Sequence, residues 1–511
     1  MKRRSVVMGL TAAAAVPSVG LASGARAADG TSATAGSAGT TAASVAGSSS
    51  LVFDPAAHTE QTVAITDTTG TAHEVVYRFY KVASYVANPV DAAYQSLNVC
   101  EPVKIDGVAV DAGRAPILLA NAVGGYMPSS VAGKTGITAT GMGGATSRQA
   151  LALAAGYVVV EPGARGRTLV DASGVHYGVA PAAIVDLKAA VRYLKFNKGR
   201  VPGNVNRIVS SGVSAGGALS SLLGASGDSS LYEPYLEAIG AADASDAIFA
   251  TGAWCPITDL EHADMAYEWC WGGNPLAGGS QADQTLSNEL RTAYGDHVAS
   301  LGLRARGYGR LTARNLDDYL LKTFMEPSAT KYLAALSETD RSAYLAANPF
   351  ITWSGGRASF TWADFVTHVG TRRKNVPSFD TFDMASPENN LFGVGTTRAR
   401  HFTLWSLRKQ QGDSARLDED IPEKLALMNP MHHLADKPNA HRSKHWWIRL
   451  GTKDTDTSHT VVGNLHARLV QLGDDVNTSY YWDAGHGADQ DPGDFVTWIG
   501  EVSGYRSKVR K

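Results

Sequence analysis

Arg207-Ile-Val-Ser-Ser-Gly-Val-Ser-Ala-Gly-Gly-Ala-Leu-Ser-Ser-Leu-Leu223 passes from β-type residues through Gly-x-Ser-x-Gly into a small-residue helical pattern. This arrangement presents a hydroxyl, Ser214, on a sharp strand-to-helix turn, with Gly212 and Gly216 letting the two backbones approach. Among 53 glycines the five-residue pattern arises easily by chance. Its flanks make it specific: Ile208–Ser210 before it, and the stripe Ala218, Leu219, Leu222 and Leu223 after it. A serine hydroxyl is a poor nucleophile until a base takes its proton, and that base needs an orienting anion. Asp454 lies in Gly451-Thr-Lys-Asp-Thr-Asp456, directly after the run Trp446–Leu450, and His486 lies in Asp483-Ala-Gly-His-Gly487, directly after Asn477–Trp482. Between them, 460–472 reads as a helix with Val462, Leu465, Leu469 and Leu472 as its buried stripe. The chain order Ser, Asp, His suits acyl transfer; Asp456 rivals Asp454 as the acid, and spacing admits either. An oxyanion needs two fixed N–H donors. The amide of Ala215 is one, and Gly125 or its neighbour Gly124, in Asn121-Ala-Val-Gly-Gly-Tyr126, is the other.

These residues need a rigid frame. From 51 to about 110 polar and apolar residues alternate, as in Ala72-His-Glu-Val-Val-Tyr-Arg-Phe-Tyr80, which predicts antiparallel strands. Short solid apolar runs follow at 116–120, 157–160 and 207–210, the signature of parallel strands buried on both faces. The helical pattern between them is clearest at 181–196, with Ile184, Leu187, Val191 and Leu194 on one face. Alternating strands and helices predict an α/β fold, a doubly wound, mostly parallel sheet. After Pro256 the rhythm changes: 284–298, 315–325 and 331–348 read as helices, and strand patterns return only at 445–450 and 477–482. The expected division is therefore a first core part at 51–257, a mainly helical insertion at 258–432 and a second core part at 433–511.

The ends and the composition bound the setting. Residues 1–27 read as an export signal: Lys2, Arg3 and Arg4, an Ala/Val/Leu stretch, and Ala25-Arg26-Ala27 as a small-x-small cleavage site, with Arg3-Arg4 resembling a twin-arginine signal. Residues 28–50, nearly all Ala, Gly, Ser and Thr, read as a flexible leader. A secreted or periplasmic location is expected. Cleavage would remove four cations (Lys2, Arg3, Arg4, Arg26) and no acid, taking the net charge from −2 to −6. That balance argues against a nucleic-acid partner, and no segment has the length and apolarity of a membrane span. Of three cysteines at least one is unpaired, and a Cys255–Cys270 bridge is compatible with an oxidising compartment. No Cys/His spacing predicts a metal centre: Glu261-His262 and His432-His433 lack a second ligand cluster.

Over nearly all of the mature chain expected after signal cleavage, the sequence resembles the bacterial tannases (tannin acyl hydrolases). The telling stretches are 121–128 (Asn-Ala-Val-Gly-Gly-Tyr-Met-Pro), 212–217, 245–249, Cys255-Pro-Ile-Thr-Asp-Leu-Glu-His-Ala-Asp-Met-Ala-Tyr-Glu-Trp269 and Ser386-Pro-Glu-Asn-Asn-Leu-Phe-Gly393. The resemblance implies an α/β-hydrolase core with a large lid inserted late in the sheet, and hydrolysis of galloyl esters without metal or cofactor. It implies Asp454 as the triad acid and Asp456 as a contact of the galloyl ring, together with Lys374 in Arg372-Arg-Lys-Asn-Val-Pro377 and Glu388 in Ser386-Pro-Glu-Asn389. By residue type alone, Lys374 and Glu388 would be ordinary solvated charges. Gallate carries three adjacent phenolic hydroxyls, which two carboxylates and an ammonium would match. The alternatives are a feruloyl or cinnamoyl esterase with the same triad, and a non-catalytic secreted binding protein on this fold. Oligomeric state and the alcohol half of the ester are left open.

Overall fold

The computed structural model describes residues 50–435 and 439–506; the expected signal at 1–27 and the leader, except Ser50, lie outside the described residues. Ten strands form one sheet: β1 His58–Thr66, β2 Ala72–Val82, β3 Leu97–Ile105, β4 Val108–Ala109, β5 Ile117–Ala120, β6 Val158–Pro162, β7 Ile208–Val213, β8 Ala250–Trp254, β9 His445–Gly451 and β10 Asp475–Tyr481. The spatial order is β1-β2-β3-β6-β5-β7-β8-β9-β10, with β4 a short hairpin partner of β3. From β1 to β6 neighbours run antiparallel. From β6 to β10 they run parallel. The sheet is thus α/β-hydrolase-like, with an antiparallel flank and a parallel half.

Burial explains both halves. Along β2 the buried Val75, Tyr77 and Phe79 alternate with partly exposed residues, and β1, at the sheet edge, buries only Ile65, because one face meets solvent. β5, β6 and β8 are buried at every position, and β7 at all but its last, because helices cover both faces. Helix Ala182–Phe196 departs from the one-sided stripe expected of it: residues 182–194 are all buried. Its charged side chains are paired inside the protein, Asp186 with Arg165 at 2.8 Å and Lys188 with Asp246 at 2.7 Å. Charges enclosed on this scale persist only with such partners.

Between β8 and β9 the regular elements are mostly helices, including Ala263–Trp271, Gln284–Ser300, Trp362–Val369 and Leu404–Gln411. Two details differ from the sequence reading. Helical residues run without a break from Leu316 to Ala335, through a π turn at 321–325, and a separate helix spans Glu338–Ala347. The division falls at Leu336, which is extended, because the Ser337 side chain accepts the Asp340 N–H and restarts the helix there. Two short hairpins also interrupt the segment, at 304–310 and 352–359. Among the described residues, no helix is long and apolar enough to cross a membrane.

Candidate active site

Ser214 follows β7 directly and precedes helix Ala215–Ala225. Its φ of +59° and ψ of −123° place it in a conformation that L-residues rarely adopt. The turn is held by Ser214 N–H donating to Trp254 O at 2.9 Å. Steric space, not backbone freedom, demands the flanking glycines: a Cβ on Gly212 would lie 2.2 Å from Gly216 O, and one on Gly216 would lie 2.6 Å from Val123 O. Asn121 ties the neighbouring loop to this turn, its Nδ2 donating to Ser211 O, Gly216 O and Ser220 Oγ, each at 3.1 Å.

The acid and histidine loops leave the carboxyl ends of β9 and β10. They approach so closely that a Cβ on Gly451 would lie 2.2 Å from Ala484 O. Lys453 N–H donates to Ala484 O at 2.9 Å, and Asp483 N–H to Thr452 Oγ1 at 2.8 Å. Helices of the inserted segment grip the histidine loop. Asp483 accepts from Tyr344 and from His368 Nε2, the latter at 2.6 Å, and the His368 ring stacks on Trp482.

His486 joins the two halves of the site. Its Nδ1 lies 2.8 Å from Asp454 Oδ2, and its Nε2 lies 2.9 Å from Ser214 Oγ. A carboxylate only accepts, so Nδ1 carries the proton and the Nε2 lone pair faces the hydroxyl. Asp454 is fully buried, and its Oδ1 accepts the Asp456 N–H at 2.9 Å. Asp456 Oδ2 lies 4.0 Å from His486 Nδ1 and instead pairs with Arg373 Nη1 at 2.7 Å. Burial alone would lower the His486 pKa, but the hydrogen bond to Asp454 and the Cys255 sulfur outweigh it and raise it above 6.5. Cys255 Sγ lies 3.9 Å from Nε2.

One cavity of about 410 Å³ exposes Ser214 and His486 together with Gly125, Lys374, Glu388 and Asp456. Glu388 is only 5 % exposed, and among the described residues its carboxylate makes no hydrogen bond or ion pair. Lys374 Nζ sits 3.6 Å from the centre of the Phe379 ring, and its backbone N–H donates to Tyr267 at 3.1 Å. The amides of Ala215 and Gly125 donate to no protein acceptor among the described residues, and Gly125 O accepts from Arg167 Nε at 2.8 Å. The arrangement supplies a hydroxyl, a base, a buried anion and free N–H donors beside a charged recess.

A tannin acyl hydrolase in complex with 3,4-dihydroxybenzoate is 36 % identical to the chain, covering 89 % of this chain and 99 % of its own, with a TM-score of 0.77. The Fusobacterium nucleatum tannase matches at 36 % identity, the same coverage and a TM-score of 0.78. The native Lactobacillus plantarum tannin acyl hydrolase matches at 35 %, again with the same coverage, and a TM-score of 0.77. The chain belongs to the tannase family. It is therefore an ester hydrolase on an α/β-hydrolase fold. The family described as BD-FAE also matches, over residues 136–288. No curated protein matched the chain.

Three features of this tannase site escape sequence reading. Arg373 caps Asp456, Asn121 stitches the loop to the serine turn, and Cys255 borders the imidazole. Arg373 stands in the stretch that carries Lys374, and Asn121 opens the glycine loop, so both were in view without a role. The Cys255–Cys270 bridge compatible with the sequence is not formed. All three cysteines are free and buried, and Cys270 Sγ accepts from Ser458 Oγ at 3.2 Å.

Proposed function

We propose that the chain hydrolyses galloyl esters to gallate through a galloyl-enzyme intermediate. Ser214 attacks the ester carbonyl while His486 Nε2 takes its proton, and buried Asp454 stabilises the resulting imidazolium. The amides of Ala215 and Gly125 receive the oxyanion. Collapse of the tetrahedral species expels the alcohol, which His486 protonates. Water then enters, loses its proton to the same imidazole, and releases gallate with Ser214 restored.

The observation that carries this reading is the shared cavity: nucleophile and base open onto the same recess as Lys374, Glu388 and Asp456. Two carboxylates accept from the phenolic hydroxyls, and the ammonium donates to a phenolic oxygen. Ester hydrolases of the same family in complex with 3,4-dihydroxybenzoate and with ethyl gallate support a hydroxylated benzoyl group there. Residues 258–432 act as the lid over this recess, and the protein works after export. The deciding experiment compares methyl gallate, methyl protocatechuate and methyl ferulate. Gallate is expected fastest; ferulate cleaved faster than gallate would assign the site to a cinnamoyl esterase.

A further inference from the structure

Asp259, His262 and His297 do not line the cavity that holds Ser214, yet they bring three ligand-type atoms within 4.8 Å of one another. His262 Nδ1 lies 2.8 Å from Asp259 Oδ1, and His297 Nε2 lies 3.3 Å from Asp259 Oδ2. His297 Nε2 is buried and, despite that proximity, has no well-directed hydrogen bond. Asp259 is itself held in a left-handed conformation, with φ at +55°, on the segment that follows β8. Its Oδ1 also accepts from Asn429 Nδ2 at 2.9 Å. The buried Asp259 carboxylate thus gathers His262 and, from helix Gln284–Ser300, His297 with Asn429 from near the end of the segment between β8 and β9.

We propose that Asp259, His262 and His297 form a structural site for a divalent transition-metal ion, zinc foremost, that staples the base of the inserted segment. Two imidazoles and one carboxylate are donors suited to zinc, whereas calcium and magnesium prefer all-oxygen shells. With zinc–ligand bonds of roughly 2.0–2.2 Å, tetrahedral donors stand roughly 3.4 Å apart; the His297–Asp259 separation of 3.3 Å matches this, and the 2.8 Å His262–Asp259 hydrogen bond has to open as the ion enters. The His262 and His297 rings stack 3.6 Å apart with planes 16° from parallel. Rotation about each Cβ–Cγ bond opens that stack and turns both lone pairs onto one ion, leaving each imidazole proton on the ring nitrogen that faces away. His262, 23 % exposed, leaves a path for water as fourth ligand. Local spacing hid the site because the second histidine lies on a different helix.

The proposal is independent of the roles given to Ser214 and His486. Its test uses the untagged, metal-stripped chain, titrated with zinc and, separately, with cobalt(II). Binding of one zinc per chain is expected, with Tm raised by about 2 °C or more when zinc is in excess. The cobalt form is expected to show four-coordinate visible bands without sulfur-to-cobalt charge transfer. His297→Gln and His262→Gln should each abolish both signals while keeping the far-UV circular dichroism of the wild type. An unchanged wild-type Tm, or an equal rise in His297→Gln, overturns the proposal. So does a sulfur–cobalt band, which would place the ion beside Cys255. The wild-type cobalt spectrum decides even where a variant does not fold.

Discussion

Glu388→Gln keeps the shape of the side chain and removes its charge. In the free protein Glu388 is only 5 % exposed, its carboxylate hydrogen-bonded to nothing among the described residues and open to the cavity of Ser214. Such a group is costly to bury and gains most when a ligand brings it O–H donors. A hydrogen bond to a charged partner contributes about 1.5–3 kcal/mol. At about 1.4 kcal/mol per tenfold, kcat/KM for methyl gallate should fall about 10- to 150-fold. A butyrate ester carries no phenolic hydroxyl, so its hydrolysis uses Ser214 and His486 without calling on Glu388. Its kcat/KM should stay unchanged. The assay is initial rates on both esters, with circular dichroism and Tm as controls. Equal losses on the two esters would refute the reasoning and assign Glu388 to the fold instead of the ring.

Asp454→Asn should cost about 10⁴-fold in kcat on every ester, because the imidazole loses its orienting anion. Asp456→Asn should instead weaken gallate esters selectively; the reverse ranking in a two-ester kinetic comparison would make Asp456 the triad acid. His486 must be neutral to act as a base, so kcat/KM should fall as pH drops through its raised pKa, on the alkaline side of 6.5. Cys255→Ala removes one of the groups that raise it, so the acidic limb of the pH–rate profile should move to lower pH; an unmoved limb would remove Cys255 from that role. Gly451→Ala places a methyl 2.2 Å from Ala484 O, and the resulting displacement of the histidine loop should lower kcat by about 10²-fold, measured with a simple ester.

The parallel strands were legible where burial on two faces demands solid apolar runs, as in Ile-Leu-Leu-Ala at 117–120. β8, Ala-Thr-Gly-Ala-Trp, was not singled out, because small residues carry little β signal. Yet it must be small: a Cβ on Gly252 would come 2.8 Å from the Phe495 ring. The helix boundary at Leu336–Ser337 escaped for a related reason, since no Gly or Pro marks it and only the Ser337 cap does. Spacing brought Ser214, His486 and two candidate acids into view, but could not choose between Asp454 and Asp456, two residues apart. Distances of 2.8 and 4.0 Å to the imidazole separate them. Lys374 and Glu388 could not be found from residue type at all. A charge reads as solvated surface until its burial and its missing partners are known.

The segment between β8 and β9 also holds the histidine loop. The Asp483-Ala-Gly-His-Gly loop begins at a residue with φ of +57°. That residue is held from three sides, by Tyr344 and His368 of the segment and by Lys453 at 3.0 Å from the acid loop. Trp482, one residue earlier, donates to Tyr344 at 2.7 Å and lies flat against His368. The position of the His486 imidazole is therefore set jointly by the sheet and by helices Glu338–Ala347 and Trp362–Val369. Loosening those helices should disturb the 2.9 Å contact between His486 and Ser214 before it disturbs the sheet. His368→Ala should accordingly lower kcat on gallate and butyrate esters alike, with Tm changed little. A loss confined to gallate esters would show that His368 acts on the acyl group and that the sheet alone holds the base.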